Sequence, residues 1–81
     1  MKEIRLEKVT QTELVPVESS NMAAVGHDGG TLTVAFHGGR IYRYYGVSAE
    51  VYHDLIDAAS KGRYQHRSIK GAYPVERVEV D

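Results

Sequence analysis

The sequence alternates apolar and polar residues most cleanly around Leu32, Val34 and Phe36, which face one side of an extended chain. Paired glycines, Gly29-Gly30 and Gly38-Gly39, lie on either side of this segment. Glycine accepts the positive φ that tight hairpins require, so both pairs mark turns. The pattern therefore predicts a central β-strand that is joined to a neighbouring strand through a short turn at each end.

The neighbouring strands are predicted over residues 21–27 and 40–45, which completes a three-stranded antiparallel meander. In the third strand, Tyr42 and Tyr44 share one side of the sheet and Arg43 lies on the other. Burying the Arg43 guanidinium without a partner would cost several kcal/mol. We therefore expect the two tyrosines to face the core and Arg43 to face solvent. The alternative is that the tyrosines form an aromatic platform on which bases stack.

A helical pattern begins after Ser48, which is a favourable N-cap residue. We expect Gly62 to end this helix. Residues 63–72 should form a second short helix or an ordered turn, with Tyr64 and Ile69 packed on the core. The apolar face of the first helix comprises Val51, Tyr52, Leu55, Ile56 and Ala59. The predicted fold is thus α+β, with a three-stranded antiparallel β-meander packed by one amphipathic helix and a short second helix.

The termini are expected to contribute an extra strand. Residues 1–17 form an N-terminal arm in which Ile4 and Leu6 alternate with charged residues, as in an edge strand. Residues 18–74 form the compact domain, and residues 75–81 are a tail that alternates again. The valines of the tail that could pair with the arm are Val78 and Val80.

Composition narrows the setting of the protein. The 81 residues include no cysteine, so disulfides cannot supplement the small core, and we expect a reducing, cytoplasmic location. The sequence has no apolar run near the ~20 residues of a membrane helix, so no membrane partner is expected. The net charge is −1, but residues 40–73 carry six basic and three acidic residues, a regional balance of +3.

That basic excess defines the candidate binding surface. It comes mainly from the segment around His66, and a helix there would place Arg63, Arg67 and Lys70 on one face. Such a surface could follow a phosphate backbone, although most charged runs are solvated faces without a ligand. The residues predicted to contact nucleic acid are Arg40, Arg43, Tyr45, Lys61, Arg63, Arg67 and Lys70, with Tyr45 as a stacking platform.

Catalysis and metal binding are not expected. His53 and Asp57 lie four residues apart on the polar helix face, but two exposed ligands hold a transition metal poorly. His27 and His37 lie at opposite ends of the middle strand and should not converge. No serine occupies a nucleophile turn, and no phosphate-binding loop is present. We predict no enzyme activity, no cofactor and no metal site.

Several short motifs together resemble a known family. They are Ser19-Ser20, Val25-Gly26-His27-Asp28, Leu32-x-Val34-x-Phe36, Tyr42-x-Tyr44-x-Gly46-Val47, Ala58-x-Ser60-x-Gly62-x-Tyr64 and Ile69. Over residues 17–73 they resemble the KTSC domain, a small bacterial and phage family named after the C-terminus of some lysyl-tRNA synthetases. His27 and Ser48 depart from the family pattern, which more often has an aromatic residue and a proline there.

The resemblance implies no catalytic residues. RNA binding has been suggested for the family because of its fusion to the synthetase. We therefore expect a small, non-enzymatic binding module with RNA as its first candidate partner. The alternative is a protein-interaction module that docks through the edge of its sheet or forms a homodimer.

Overall fold

The computed structural model describes residues 14–78. The strand predicted at Ile4–Leu6, and the pairing predicted for Val80, lie outside the described residues. Two helices and a π-helical turn follow the fourth of five strands: α1 (Ala49–Asp57), α2 (Lys61–Tyr64) and the π turn (Gln65–Ile69). The strands are β1 (Val15–Pro16), β2 (Met22–Asp28), β3 (Thr31–Phe36), β4 (Ile41–Tyr45) and β5 (Val75–Val78).

All five strands form one antiparallel sheet whose spatial order follows the order of the chain. The predicted α+β class and the β2–β3–β4 meander are therefore present. The meander is extended by two further strands, because β1 adds to the outer side of β2 and β5 adds to β4. The extra strand that was expected from the termini is therefore present, although it pairs with the meander. Val78 pairs with Ile41 of β4, and Val15 pairs with Val25. The sheet thus extends beyond the predicted bounds of the compact domain at both ends.

The first hairpin depends on its two glycines. Gly29 and Gly30 are the only residues between β2 and β3, and their φ angles are +57° and +85°. Two successive positive φ values define the type I′ turn, whose twist matches that of the flanking strands. A side chain at either position would be strained, which explains why this turn contains two glycines.

The core lies on one face of the sheet, beneath α1 and the π turn. Tyr44 is 5% exposed and lies in the core beside the fully buried Leu32 and Leu55. Tyr42 is half-buried and packs edge-to-face on Phe36, with ring centroids 5.7 Å apart. The predicted inward orientation of both tyrosines is confirmed, and strand alternation places Arg43 on the opposite face.

Helix α1 begins as predicted, because the Ser48 Oγ accepts a hydrogen bond from the Val51 amide at 3.3 Å. Its end differs from the prediction. Ala58 adopts an extended conformation, with φ −65° and ψ 138°, and stops the helix before Gly62. Gly62 instead lies inside α2, where its lack of a side chain accommodates Asn21.

The predicted second helix is shorter and changes its winding. After α2, the Lys70 amide donates to the carbonyl of Gln65 at 2.8 Å, an i to i+5 bond that defines a π turn. Lys70 itself is extended, so the single helical face predicted for Arg63, Arg67 and Lys70 does not form. Within residues 14–78, no helix is long and apolar enough to cross a membrane.

Candidate functional site

An open cleft of about 570 Å³ lies between the sheet and the π turn. We call it the aromatic cleft, because Phe36, Tyr42 and Tyr44 line it from the sheet, together with Val75. Gln65 lines it from the π turn. No residue of α1 lines this cleft, and the half-buried rings of Phe36 and Tyr42 keep part of their surface open. Rings that pack on the core therefore also line a surface that a ligand can reach.

The polar lining of the aromatic cleft is basic. Arg40, from the β3–β4 loop, and Lys70, from the end of the π turn, both line it, as do His37 and His66. No aspartate or glutamate is among the described residues that line it. Arg40 and Lys70 are exposed, and no hydrogen bond or ion pair within residues 14–78 engages either side chain. The cleft is therefore suited to an anionic ligand with a flat apolar part.

A buried polar pair lines the same cleft. The Gln65 Nε2 donates to the Tyr44 hydroxyl at 3.0 Å, and both side chains are at least 95% buried. Burial raises the pKa of Tyr44 above its ordinary value of 10.0, while the hydrogen bond from Gln65 acts in the opposite direction. The phenol is thus neutral at physiological pH and keeps its own proton for a further hydrogen bond.

A second cleft, of about 280 Å³, adjoins the first. We call it the polar cleft. Lys61 and Arg63 line it from α2, and Glu18 is its one acidic lining residue within the described chain. The Lys61 Nζ donates to the carbonyl of Ala58 at 3.3 Å, whereas Arg63 is exposed and its side chain makes no hydrogen bond or ion pair within residues 14–78. The lining is mostly polar, and Lys61 and Arg63 give it positive charge that suits an anionic group such as a phosphate.

Ser20 and Asn21 line both clefts and form the wall between them. The wall is held by Ser19, whose Oγ donates to the Asn21 Oδ1 at 2.7 Å and accepts from the Met22 amide at 3.3 Å. Ser19 thus hydrogen-bonds to the backbone locally, at the entrance of the strand. The shared wall brings Arg40 and Lys70 to one side of the same short segment and Lys61 and Arg63 to the other.

The remaining predicted contact residues lie elsewhere. Arg43 and Tyr45 are on the opposite face of the sheet, where the Tyr45 hydroxyl donates to Glu76 at 2.5 Å. That hydrogen bond is the main reason why the pKa of Tyr45 is raised. Arg67 is exposed on the π turn and lines neither cleft. The structure thus brings four of the seven predicted residues together around Ser20–Asn21 and separates the other three from them.

The histidines do not form a metal site within residues 14–78, where no group of three or more metal-ligating side chains occurs. His27 contacts the carbonyl of Val47 through Nε2 at 2.7 Å and stacks on Tyr52 with a centroid distance of 5.3 Å. His37 contacts the carbonyl of Ser19 at 3.1 Å. Both rings therefore contact backbone carbonyls, and they lie at opposite ends of β3.

Comparison with known proteins gives the class. The family model of the KTSC domain matches residues 18–73. A KTSC domain protein of Yersinia pestis, known from its crystal structure, superposes with a TM-score of 0.78 and is 30% identical. The match covers 84% of this chain and 99% of the Yersinia chain. The chain described here belongs to the KTSC domain family.

The similar sequences include both small proteins and parts of large ones. A protein of Tsukamurella paurometabola is 44% identical over 57 residues, which cover 68% of this chain and 85% of that protein. The lysine–tRNA ligase of a Nostoc species is 44% identical over 48 residues, and the ligase of Trichormus variabilis is 42% identical over 48. These matches cover 59% of this chain but only 9% of each ligase.

Gln65 and Asn21 are among the residues of the site that sequence reasoning did not identify. Gln65 reads as one more polar residue in a basic run, and only the π turn buries it. Asn21 reads as the first residue of a strand. The one sequence feature connected with its contact is the glycine of the Ser60-x-Gly62 motif, which lies beside Asn21 in the structure. The sequence predicts Gly62 as the end of a helix, whereas in the structure its missing side chain leaves room for Asn21.

Proposed function

We propose that this domain is a non-enzymatic RNA-binding module whose contact surface is the pair of clefts that meet at Ser20–Asn21. The observation that carries the proposal is the composition of the aromatic cleft. It combines open aromatic rings with Arg40 and Lys70, and none of its described lining residues is acidic. Single-stranded nucleic acids are bound by this combination, because bases stack on aromatic rings while cations neutralise the phosphates.

The relation to lysine–tRNA ligases supports the proposal. About 48 residues of those ligases resemble this chain, and a ligase that charges tRNA works beside RNA. The resemblance covers only 9% of each ligase, so it supports an RNA setting and not the ligase reaction. The polar cleft adds Lys61 and Arg63 on the other side of the wall, where a second phosphate of the same strand could bind.

The test is a titration of fluorescently labelled single-stranded RNA, followed by anisotropy at several salt concentrations. Each lost phosphate contact should lower the slope of log K against log salt by about 0.7. We expect this reduction for Arg40→Gln and for Lys70→Gln. Circular dichroism of each variant checks that the fold is kept.

Arg43→Gln is the matched control, because it removes the same charge from the opposite face of the sheet. An unchanged salt slope for Arg43→Gln, together with lower slopes for Arg40→Gln and Lys70→Gln, would assign binding to the clefts. A slope lowered by Arg43→Gln alone would move the contact surface to the other face, as the sequence pattern suggested. RNA binding that is absent at low salt, or that does not respond to salt, would exclude the proposal.

Protein docking is the second candidate, and the exposed valines at the sheet edges favour it. Val15 is 47% exposed on β1 and Val75 is 52% exposed on β5. Exposed strand edges accept strands from other chains. Light scattering after size exclusion tests the homodimer, and a monomer at every concentration would exclude it.

A further inference from the structure

Gln65 is an unusual residue for its position. It is 4% exposed, it lies between the core and the aromatic cleft, and a leucine or methionine would fill the same space. A buried carboxamide that lacks hydrogen bonds costs free energy, so a structural role alone would favour an apolar residue. Its bond to Tyr44 satisfies one of its two N–H donors.

The rest of the Gln65 carboxamide is directed to the cleft. Within residues 14–78, the bond to Tyr44 is the only side-chain hydrogen bond that Gln65 makes. The one buried side-chain atom in those residues without a partner is the Thr33 Oγ1, on the other face of the sheet. The Gln65 Oε1 accepts no hydrogen bond from residues 14–78 and is not a buried unpaired atom, so it keeps some solvent exposure, and the open surface that Gln65 lines is the cleft.

The cleft therefore has three features that fit one nucleotide. Phe36 and Tyr42 offer ring surface for a flat heterocycle, and Arg40 with Lys70 offers positive charge for the attached phosphate. The Gln65–Tyr44 pair offers an amide oxygen, an amide N–H and a phenol proton that could hydrogen-bond to the edge of a base stacked on these rings. A carboxamide presents a donor beside an acceptor, which matches the donor and acceptor that adenine presents side by side.

We propose that the aromatic cleft binds one unpaired adenine nucleotide, with Gln65 as the residue that reads the base and Tyr44 as the residue that positions Gln65. The inference rests on the proposed RNA-binding function and adds base selectivity to it. Phosphate contacts carry no sequence information. Selectivity must therefore come from Gln65, and affinity in general from Arg40 and Lys70.

The experiment compares labelled eight-nucleotide strands of adenylate, uridylate and cytidylate at one low salt concentration. We expect the wild-type protein to bind the adenylate strand about 5- to 100-fold more tightly than the other two, as for other bidentate base contacts. Gln65→Met keeps the side-chain volume but removes the carboxamide, so it should reduce this ratio to nearly 1. Arg40→Gln should weaken all three strands by a similar factor.

A second variant separates reading from packing. Tyr44→Phe keeps the ring and removes the hydroxyl that holds Gln65, so it too should lower the preference for adenylate. Thermal melts of both variants identify any loss of fold. A titration of the 15N-labelled protein with free adenosine monophosphate distinguishes a nucleotide within RNA from a soluble nucleotide. If the monophosphate changes the amide chemical shifts of Gln65 and Tyr44 while no RNA strand binds, the ligand of the cleft is the soluble nucleotide.

The outcomes separate the two proposals. Salt-dependent binding of all three strands with equal affinity, unchanged by Gln65→Met, would refute base reading and leave RNA binding standing. A preference for uridylate or cytidylate would refute the assignment to adenine. Failure of every strand and of the monophosphate to bind would remove both proposals.

Discussion

The contact between Gly62 and Asn21 gives the sharpest test of the structure. A Cβ atom added at position 62 would lie 2.8 Å from the Asn21 Oδ1, which is closer than side chains normally approach. Asn21 is exposed, but its Oδ1 accepts a hydrogen bond from the Ser19 Oγ at 2.7 Å, so moving this oxygen away breaks that bond. Gly62→Ala should therefore force the wall between the two clefts to shift.

Two opposing effects set the size of the change. Alanine is favoured over glycine inside a helix by about 1 kcal/mol, whereas overpacking a well-packed site costs roughly 1–3 kcal/mol. We expect steric overlap to prevail, so that Gly62→Ala lowers the free energy of unfolding by about 1 kcal/mol. In an Asn21→Ala background the oxygen is gone, and Gly62→Ala should be neutral or stabilising by up to ~1 kcal/mol.

The assay is denaturant unfolding, followed by circular dichroism, of the wild type, the two single variants and the double variant. The two backgrounds should therefore differ by a coupling energy of about 1–2 kcal/mol, within the range for residues in direct contact. A coupling energy below about 0.5 kcal/mol, the usual limit for independent sites, would refute the contact. The Asn21→Ala single variant controls for the loss of the Ser19 hydrogen bond.

Three further predictions concern the core, the first helix and pH. Leu55→Ala removes a fully buried side chain and should lower the free energy of unfolding by about 2–5 kcal/mol in guanidinium titration. Ser48→Ala removes the acceptor of the Val51 amide and should cost about 1 kcal/mol, and Ser48→Gly less, by the same assay. Because burial raises the pKa of Tyr44 above 10.0, its contribution to stability is complete below about pH 10 and is lost as pH rises through the folded-state pKa. Urea midpoints across that range should fall less steeply for Tyr44→Phe than for the wild type, and equal slopes would contradict the assignment.

Much of the fold could be predicted because its signals are local. The alternation around Val34 and the paired glycines specify two hairpins, and Ser48 specifies where α1 begins. The orientation of Tyr42 and Tyr44 followed from a single cost, that of burying Arg43 without a partner. In each case the deciding residues lie within a few positions of one another, so the pattern contains the answer.

The candidate site could be predicted only in part, because it depends on contacts between distant segments. No local pattern states that β5 pairs with β4, or that the segment after Tyr64 winds as a π turn and buries Gln65. The basic residues looked like one helical face, and that face is lost once Lys70 becomes extended. The cleft exists only where the sheet meets the π turn, so its lining residues come from both.

The order of the strands has a consequence for how the sheet opens. The β2–β3 and β3–β4 hairpins close over loops of two and four residues, whereas β5 reaches β4 only after residues 46–74 have folded back. The entropic cost of closing a loop rises with loop length. In addition, β5 is a short, mostly exposed strand at the margin of the sheet. We expect the backbone amides of β5 to exchange with deuterium faster than those of β3, with partial detachment of this strand preceding global unfolding. Val75 would leave the aromatic cleft with it, so the size of the cleft would vary with the fraying of a single strand.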